Sequence, residues 1–150
     1  MMTAAVEDWD SVQAEWRGLI PGHYDEISLH KARGVPLDPD YEAYSAINKA
    51  GRLLFVGLRD AGKLVGYFIG FVQPHLHYRT CLTCTMDIMY VHPSKRNGTG
   101  GLRLLKAAKA ELKRRGVACW FMGSKDHKPI GRLYEALGFK KMESYYSLWI

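Results

Sequence analysis

The segment from Met89 to Leu105 constrains the fold most, because an apolar run, a glycine-dense basic loop and an amphipathic run follow one another. The apolar run stops at Pro93, and three glycines fall in the loop behind it. Leucine and alanine then recur at helical spacing as far as Leu112. This order predicts a strand, a loop and a helix whose free N–H groups and positive dipole end face an anion. The glycines allow close backbone approach and positive φ.

Two common phosphate loops do not fit this segment. A P-loop needs Gly-x-x-x-x-Gly-Lys-Ser/Thr, which the chain does not contain. A dinucleotide fingerprint needs Gly-x-Gly-x-x-Gly, and Arg103 stands where the third glycine belongs. The pattern that fits is Arg/Gln-x-x-Gly-x-Gly/Ala, with Arg96 first, Gly101 last and Thr99 where glycine is usual.

The loop resembles the acetyl-CoA loop of the GNAT superfamily of N-acetyltransferases, and a second segment resembles the same family. Residues 132–139, Arg-Leu-Tyr-Glu-Ala-Leu-Gly-Phe, are similar to the LYEKLGF signature near the end of these proteins. The resemblance covers residues 52–150, whereas residues 1–51 match only as a generic helical N-terminal region on the acceptor side. It implies an acetyltransferase that uses acetyl-CoA as co-substrate and no metal.

The order of elements predicts an α/β (α+β) fold in a single domain, residues 1–150. We expect a mixed, mostly antiparallel central sheet of about six to seven strands with helices on both faces. The first helix is expected to end at Pro21, a short second one to span residues 23–33, and the last strands to span 139–144 and 145–150. The resemblance implies that the strands near 81–92 and 117–122 splay apart around the cofactor.

Charge is divided unevenly along the chain. Residues 1–60 hold 6 Lys/Arg and 10 Asp/Glu, whereas residues 61–150 hold 15 Lys/Arg and 5 Asp/Glu. The basic part suits an anionic cofactor and the acidic part a cationic amine, although solvated helix faces explain the same division. Three cysteines are too few for a disulfide framework and favour a reducing cytoplasm. No apolar run reaches the ~18 residues that a membrane helix needs.

The resemblance also implies which residues hold the cofactor. His127 stands seven residues before Tyr134, where the family commonly has an asparagine. Backbone N–H groups at the end of the long strand would bind the thioester carbonyl, and the loop would bind the pyrophosphate. The cofactor-binding residues expected on this basis are Met89, Tyr90, Val91, Arg96, Asn97, Gly98, Thr99, Gly100, Gly101, Leu102, His127 and Tyr134.

Acetyl transfer needs a neutral amine, although a free alkylammonium has a pKa near ~10.4. It also needs a donor for the oxyanion and a proton for the departing thiolate. Tyr134 is the expected acid by its place in the motif; the alternative is a core aromatic. Asp87 is the candidate base and an acceptor contact, or else a structural carboxylate. His77 is a second candidate for the acceptor pocket, or a surface histidine.

Strand alternation places Thr85, Asp87, Met89 and Val91 on one face. Cys119 lies in an apolar run and is expected in the core. Cys81 and Cys84 have no second ligand pair, so a zinc site is not predicted.

The acceptor stays open between a small cationic amine, which the charge division favours, and a protein lysine or N-terminus. The expected reaction is direct attack in a ternary complex, without a covalent enzyme intermediate. The alternative is a non-catalytic module that binds acyl-CoA or nucleic acid, because the helix after the loop carries a basic stripe. No nucleic-acid motif accompanies the stripe, so a nucleic-acid partner is not favoured. The family resemblance and the apolar end Leu148-Trp149-Ile150 allow a homodimer.

Overall fold

Five strands form one sheet in chain order: β1 (Met2–Val6), β2 (Leu53–Asp60), β3 (Lys63–Pro74), β4 (Leu82–Val91) and β5 (Cys119–Phe121). The computed structural model describes residues 1–150. The first four strands are antiparallel neighbours and β5 runs parallel to β4. This confirms the mixed, mostly antiparallel sheet, but the expected six to seven strands are too many.

Four helices accompany the sheet: α1 (Trp9–Ile27), α2 (Tyr41–Lys49), α3 (Gly100–Arg114) and α4 (Gly131–Ala136). Asp8 starts α1 by accepting a hydrogen bond from the Ser11 N–H at 3.2 Å, and Asp40 starts α2 in the same way. None of the helices is both long and apolar enough to cross a membrane.

The N-terminal region differs from the expectation in two ways. It begins with a strand, since β1 pairs along β2 from Met2 to Val6. Helix α1 also continues through Pro21 to Ile27, so the predicted end at Pro21 is wrong. A proline removes one backbone donor, and the packing of the apolar face of α1 against the sheet outweighs that loss. The expected helix over residues 23–33 is therefore the end of α1 followed by a single 3-10 turn.

The core has two halves, one on each face of the sheet. Helices α1 and α2 cover one face, where Trp9, Trp16 and Tyr67 are almost completely buried. Helix α3 covers the other, where Leu104 packs with Phe68 and other side chains of the central strands. Because β2 and β3 are buried on both faces, their sequences read as continuous apolar runs rather than as an alternation.

Strand β4 carries a bulge at Asp87. Its neighbours Ile88 and Met86 pair with the consecutive residues Ile69 and Gly70 of β3, so that Asp87 is the extra residue. The bulge reverses the alternation: Met89 packs on the α3 side, whereas Asp87 contacts Tyr44 on the α2 side. The expectation that Thr85, Asp87, Met89 and Val91 share one face is therefore wrong.

Strands β4 and β5 separate soon after they meet. They pair only from Thr83 to Thr85 on β4 and from Cys119 to Phe121 on β5. The rest of β4, from Met86 to Val91, has no strand beside it on that side. We call this region the β4–β5 gap, and it corresponds to the splay that the family resemblance implies.

The C-terminal segment, residues 140–150, forms no strand. It makes no backbone hydrogen bond within the chain, and every residue from Lys141 to Ile150 is exposed. The expected strands over 139–144 and 145–150 are thus absent, because a strand needs a pairing edge and none is engaged. Trp149 touches the body of the protein, with its ring 5.0 Å from the His30 ring. Cys119 is exposed on the edge strand rather than buried in the core.

Candidate active site

The start of α3 presents a series of backbone donors. No backbone N–H from Asn97 to Leu102 makes a hydrogen bond within the chain, and Thr99, which precedes the helix, gives no side-chain cap. The threonine hydroxyl instead accepts a hydrogen bond from Arg103 Nε at 2.9 Å. Unpaired donors at the positive end of a fifteen-residue helix form an anion site suited to a pyrophosphate.

The loop glycines are needed for close approach and not for positive φ. None of Gly98, Gly100 and Gly101 has a positive φ, which corrects that part of the expectation. A Cβ on Gly100 would lie 2.9 Å from the buried Leu58 side chain, and one on Gly101 would lie 3.2 Å from Leu133 of α4. Thr99 has φ −92°, which lies outside the left-handed region that favours glycine, so a threonine can stand where glycine is usual.

The basic side chains of the loop already have partners in the chain. Lys95 Nζ lies 2.7 Å from Asp60, and the Arg96 guanidinium forms a two-pronged ion pair with Glu26 of α1. Arg96 Nε also donates to the carbonyl oxygen of Val91 at 2.8 Å. Backbone N–H groups, rather than these side chains, are therefore the free donors that face an incoming anion.

Tyr134 reaches the β4–β5 gap from α4. Its hydroxyl donates to the Gly123 carbonyl at 2.8 Å and lies 3.8 Å from the Met86 sulfur. Gly123 follows β5 and Met86 belongs to β4, so the hydroxyl sits between the two strands where their pairing has ended. The residue is 6% exposed, and burial raises the pKa of the phenol, which stays protonated at neutral pH.

Asp87 is held on the opposite side of β4. The bulge turns it towards α2, where the Tyr44 hydroxyl donates a hydrogen bond to its Oδ2. Burial raises the pKa of Asp87, and the hydrogen bond from Tyr44 opposes that rise. A carboxylate with a raised pKa is a better proton acceptor than an ordinary aspartate.

The stretch from Met89 to Val91 borders the gap. Alternate N–H groups of a strand point to each side, so those on the β5 side have no partner strand here. Tyr90 is 6% exposed, and Met89 and Val91 are half-buried. The stretch therefore borders the same gap as the tyrosine hydroxyl, which contacts β4 at Met86.

The two expected histidines lie away from this group. His127 is exposed at the tip of a turn closed by a bridge between Lys125 and Lys128. His77 is exposed in the connection between β3 and β4, and its ring packs on His75 with centroids 5.3 Å apart. That connection is at the end of β4 remote from the glycine loop, so the structure does not bring His77 to Asp87.

Three residues of the site region were not predicted from the sequence. Tyr44 binds Asp87, and Glu26 binds Arg96. His23 is 3% exposed, with Nδ1 2.6 Å from the Tyr67 hydroxyl. A signal existed, because Trp9, Trp16 and His23 recur every seven residues on one helix face, but the assumed helix end at Pro21 concealed it.

The chain was compared with models of known protein families and with curated protein sequences. Residues 50–141 match the family model of the acetyltransferase (GNAT) domain. No curated protein sequence matches the chain significantly.

Solved structures resemble the chain over nearly its whole length. A ribosomal-protein-alanine N-acetyltransferase from Brucella melitensis biovar Abortus 2308 has TM-score 0.74 and 18% identity, covering 100% of this chain and 99% of its own. An aminoglycoside acetyltransferase from an uncultured soil metagenomic sample has TM-score 0.77 and 12% identity, with 100% and 99% covered. A predicted acetyltransferase with acetyl-CoA from Clostridium acetobutylicum has TM-score 0.72 and 14% identity, with 99% and 96% covered. The TM-scores show a shared fold, and at these low identities they show the fold alone.

The fold and the donor-lined loop define an acyltransferase of the acetyl-CoA-dependent class. The family match covers well over half of the chain, so the chain belongs to the GNAT acetyltransferase family.

Proposed function

We propose that this protein transfers an acetyl group from acetyl-CoA to a primary amine by direct attack in a ternary complex. The observation that carries the proposal is the position of the Tyr134 hydroxyl in the β4–β5 gap, on a helix whose Leu133 packs against Gly101 at the start of α3, where the N–H groups are unpaired. Sheet, gap and loop support the donor side of the reaction, and the region of residues 1–51 would supply much of the acceptor side.

The donor would be held mainly by backbone. The N–H groups from Asn97 to Leu102 would bind the pyrophosphate, and the pantetheine arm would enter the gap beside Met89, Tyr90 and Val91. An N–H of that stretch would stabilise the oxyanion as it forms. His127, at an exposed turn, would contact the cofactor from the other side of the gap.

The chemistry would use Asp87 and Tyr134 in complementary roles. The amine nitrogen attacks the thioester carbonyl and a C–N bond forms while its proton passes to Asp87, directly or through a water. The C–S bond then breaks, and Tyr134 gives its proton to the leaving sulfur after releasing the Gly123 carbonyl. The raised pKa of Asp87 suits a proton acceptor, and the buried phenol of Tyr134 suits a donor.

A small cationic amine is the acceptor that the charges favour. Asp87 is a half-buried carboxylate on the α2 side, and residues 1–60 carry more acidic than basic side chains. A solved neighbour acts on aminoglycosides, which are amines of this kind. Another neighbour is a ribosomal-protein-alanine N-acetyltransferase, so a protein amine is the second candidate acceptor.

Two further properties belong to the same proposal. The exposed segment from Lys141 to Ile150 would pair with a second copy of the chain and give a homodimer, because its apolar side chains are exposed and its backbone groups make no hydrogen bond in their own chain. All three cysteines are free, which supports a reducing cytoplasm.

A turnover assay that detects free CoA tests the proposal. We expect release of CoA with acetyl-CoA and a panel of cationic amines, and less with peptides that begin with alanine and have a free α-amino group. Binding of acetyl-CoA without turnover on either panel would instead favour a non-catalytic acyl-CoA-binding module. Absence of binding would contradict the proposal itself.

A further inference from the structure

The loop before α3, residues 97–99, has few hydrogen bonds of its own to hold it in place. The N–H groups from Asn97 to Leu102 make no hydrogen bonds within the chain, and Gly98 and Thr99 lie outside any helix or strand. A site of this kind binds well only if other elements fix it beforehand, because ordering residues on binding lowers affinity. The residues that anchor the loop therefore matter for the cofactor.

One anchor comes from the last turn of α1. Both terminal nitrogens of the Arg96 guanidinium donate to the Glu26 carboxylate, and the distance from Nη2 to Oε2 is 2.7 Å. The Glu26 side chain is 19% exposed. Arg96 in turn donates Nε to the Val91 carbonyl at the end of β4. Glu26 thus ties three elements together: the helix, the strand end and the loop.

The helix on which Glu26 stands is itself fixed at this point. One turn earlier, the His23 ring stacks on Tyr90 of β4 with centroids 4.8 Å apart and hydrogen-bonds the Tyr67 hydroxyl. Helix α1 also passes close to this strand at Gly22, where a Cβ would make an ordinary contact at 3.5 Å with the Tyr90 hydroxyl oxygen. Burial lowers the pKa of His23 to about 4, so the ring is neutral and adds no charge beside Arg96.

We infer that Glu26 is a positioning residue for acetyl-CoA. It acts by holding Arg96, and through Arg96 it holds the loop that would bind the pyrophosphate. This inference rests on the proposed function and adds that a residue of helix α1, on the acceptor side, sets the affinity for acetyl-CoA. Arg96 serves as an anchor here and not as a phosphate ligand, because both its prongs are occupied by Glu26.

The test compares Glu26→Gln with a matched variant on the same helix, Glu15→Gln. Glu15 also pairs with an arginine, Arg59, but about three turns earlier on α1 and without a contact to Arg96. We expect Glu26→Gln to raise the KM for acetyl-CoA about 10-fold, equivalent to about 1.4 kcal/mol, with kcat within about 2-fold. Glu15→Gln should leave both constants unchanged.

S-Acetylpantetheine, which lacks the pyrophosphate, gives the decisive second readout. With this donor, Glu26→Gln should be as active as the wild type, since the loop contributes nothing to its binding. An equal loss with both donors, or an unchanged KM for acetyl-CoA, would overturn the inference. Failure of the wild type to bind acetyl-CoA in calorimetry would instead count against the proposed function, so the two failures are distinguishable.

Discussion

The proposed donor side and the proposed acceptor side of the site are built from different groups, backbone in one and side chains in the other. On the donor side, the free groups are backbone N–H groups from Asn97 to Leu102, set by a loop and a helix start. On the acceptor side, the groups are side chains, chiefly Asp87 with Tyr44, brought together by a bulge and a separate helix. A backbone site depends on local chain geometry, whereas a side-chain site depends on contacts between distant segments.

The difference explains how each side responds to change. Most substitutions leave a backbone donor in place, so the binding of acetyl-CoA should be sensitive mainly where a new side chain would not fit or an anchor is lost. The chemical step, by contrast, should depend on the side chain of Tyr134. The acceptor side should be sensitive to single side-chain atoms.

Tyr134→Phe removes one oxygen in the gap and should have the largest effect. General acid catalysis typically contributes about 100- to 10,000-fold, so we expect kcat to fall at least about 100-fold. The acetyl-CoA dissociation constant should stay within about 2-fold, because the loop is untouched. Steady-state kinetics and calorimetry check this, with Tyr145→Phe as control, since Tyr145 is exposed in the C-terminal segment. Full activity of Tyr134→Phe would remove the tyrosine from the mechanism.

Asp87→Asn should lower kcat/KM about 100-fold and abolish the acidic limb of the pH–rate profile. In the wild type that limb should lie above the ~3.9 of an ordinary aspartate, because burial raises the pKa of Asp87 and only the ionised form accepts a proton.

Asp87→Asn should raise the stability of the protein although it lowers its activity. A raised folded-state pKa favours the fold at low pH, and this contribution is lost as pH rises through that pKa. Asp87→Asn avoids burying a charge at pH 7 and keeps an acceptor for Tyr44, so Tm should rise by a few degrees, at roughly 2–4 °C per kcal/mol. A lower Tm together with an unchanged pH profile would indicate a purely structural carboxylate.

Gly100→Ala tests whether the donor side depends on backbone shape. The new methyl would lie 2.9 Å from Leu58, which is fully buried, so we expect a loss of about 1–2 kcal/mol in stability and several-fold weaker acetyl-CoA binding. Gly18→Ala is the matched control, since its methyl meets nothing within 4 Å on α1 and should stabilise the helix slightly. Unaltered binding in Gly100→Ala would show that the loop tolerates side chains.

Removal of residues 141–150 should have the smallest effect on the site. The segment makes no backbone hydrogen bonds, so Tm of the truncated chain should change little. The mass in solution, measured by light scattering, should fall from a dimer to a monomer. A full-length chain that is already monomeric at high concentration would contradict the homodimer.

The sequence predicted the donor side better than the acceptor side, for a physical reason. The loop, α3 and the tyrosine motif are local patterns in which spacing determines shape, and the structure places them around one gap. The partner of Asp87 lies on α2, 43 residues earlier, and no local pattern reports such a contact. The bulge at Asp87 depends on the register with β3, which the residues of β4 alone do not encode.

An amide NMR spectrum of the isotope-labelled protein, recorded with and without CoA, tests the backbone-built donor site directly. We expect the N–H signals of Asn97 to Leu102 to shift most, with smaller shifts from Met89 to Val91, because these groups would gain partners on binding. Shifts confined to the basic face of α3, or none at all, would contradict a backbone-built donor site.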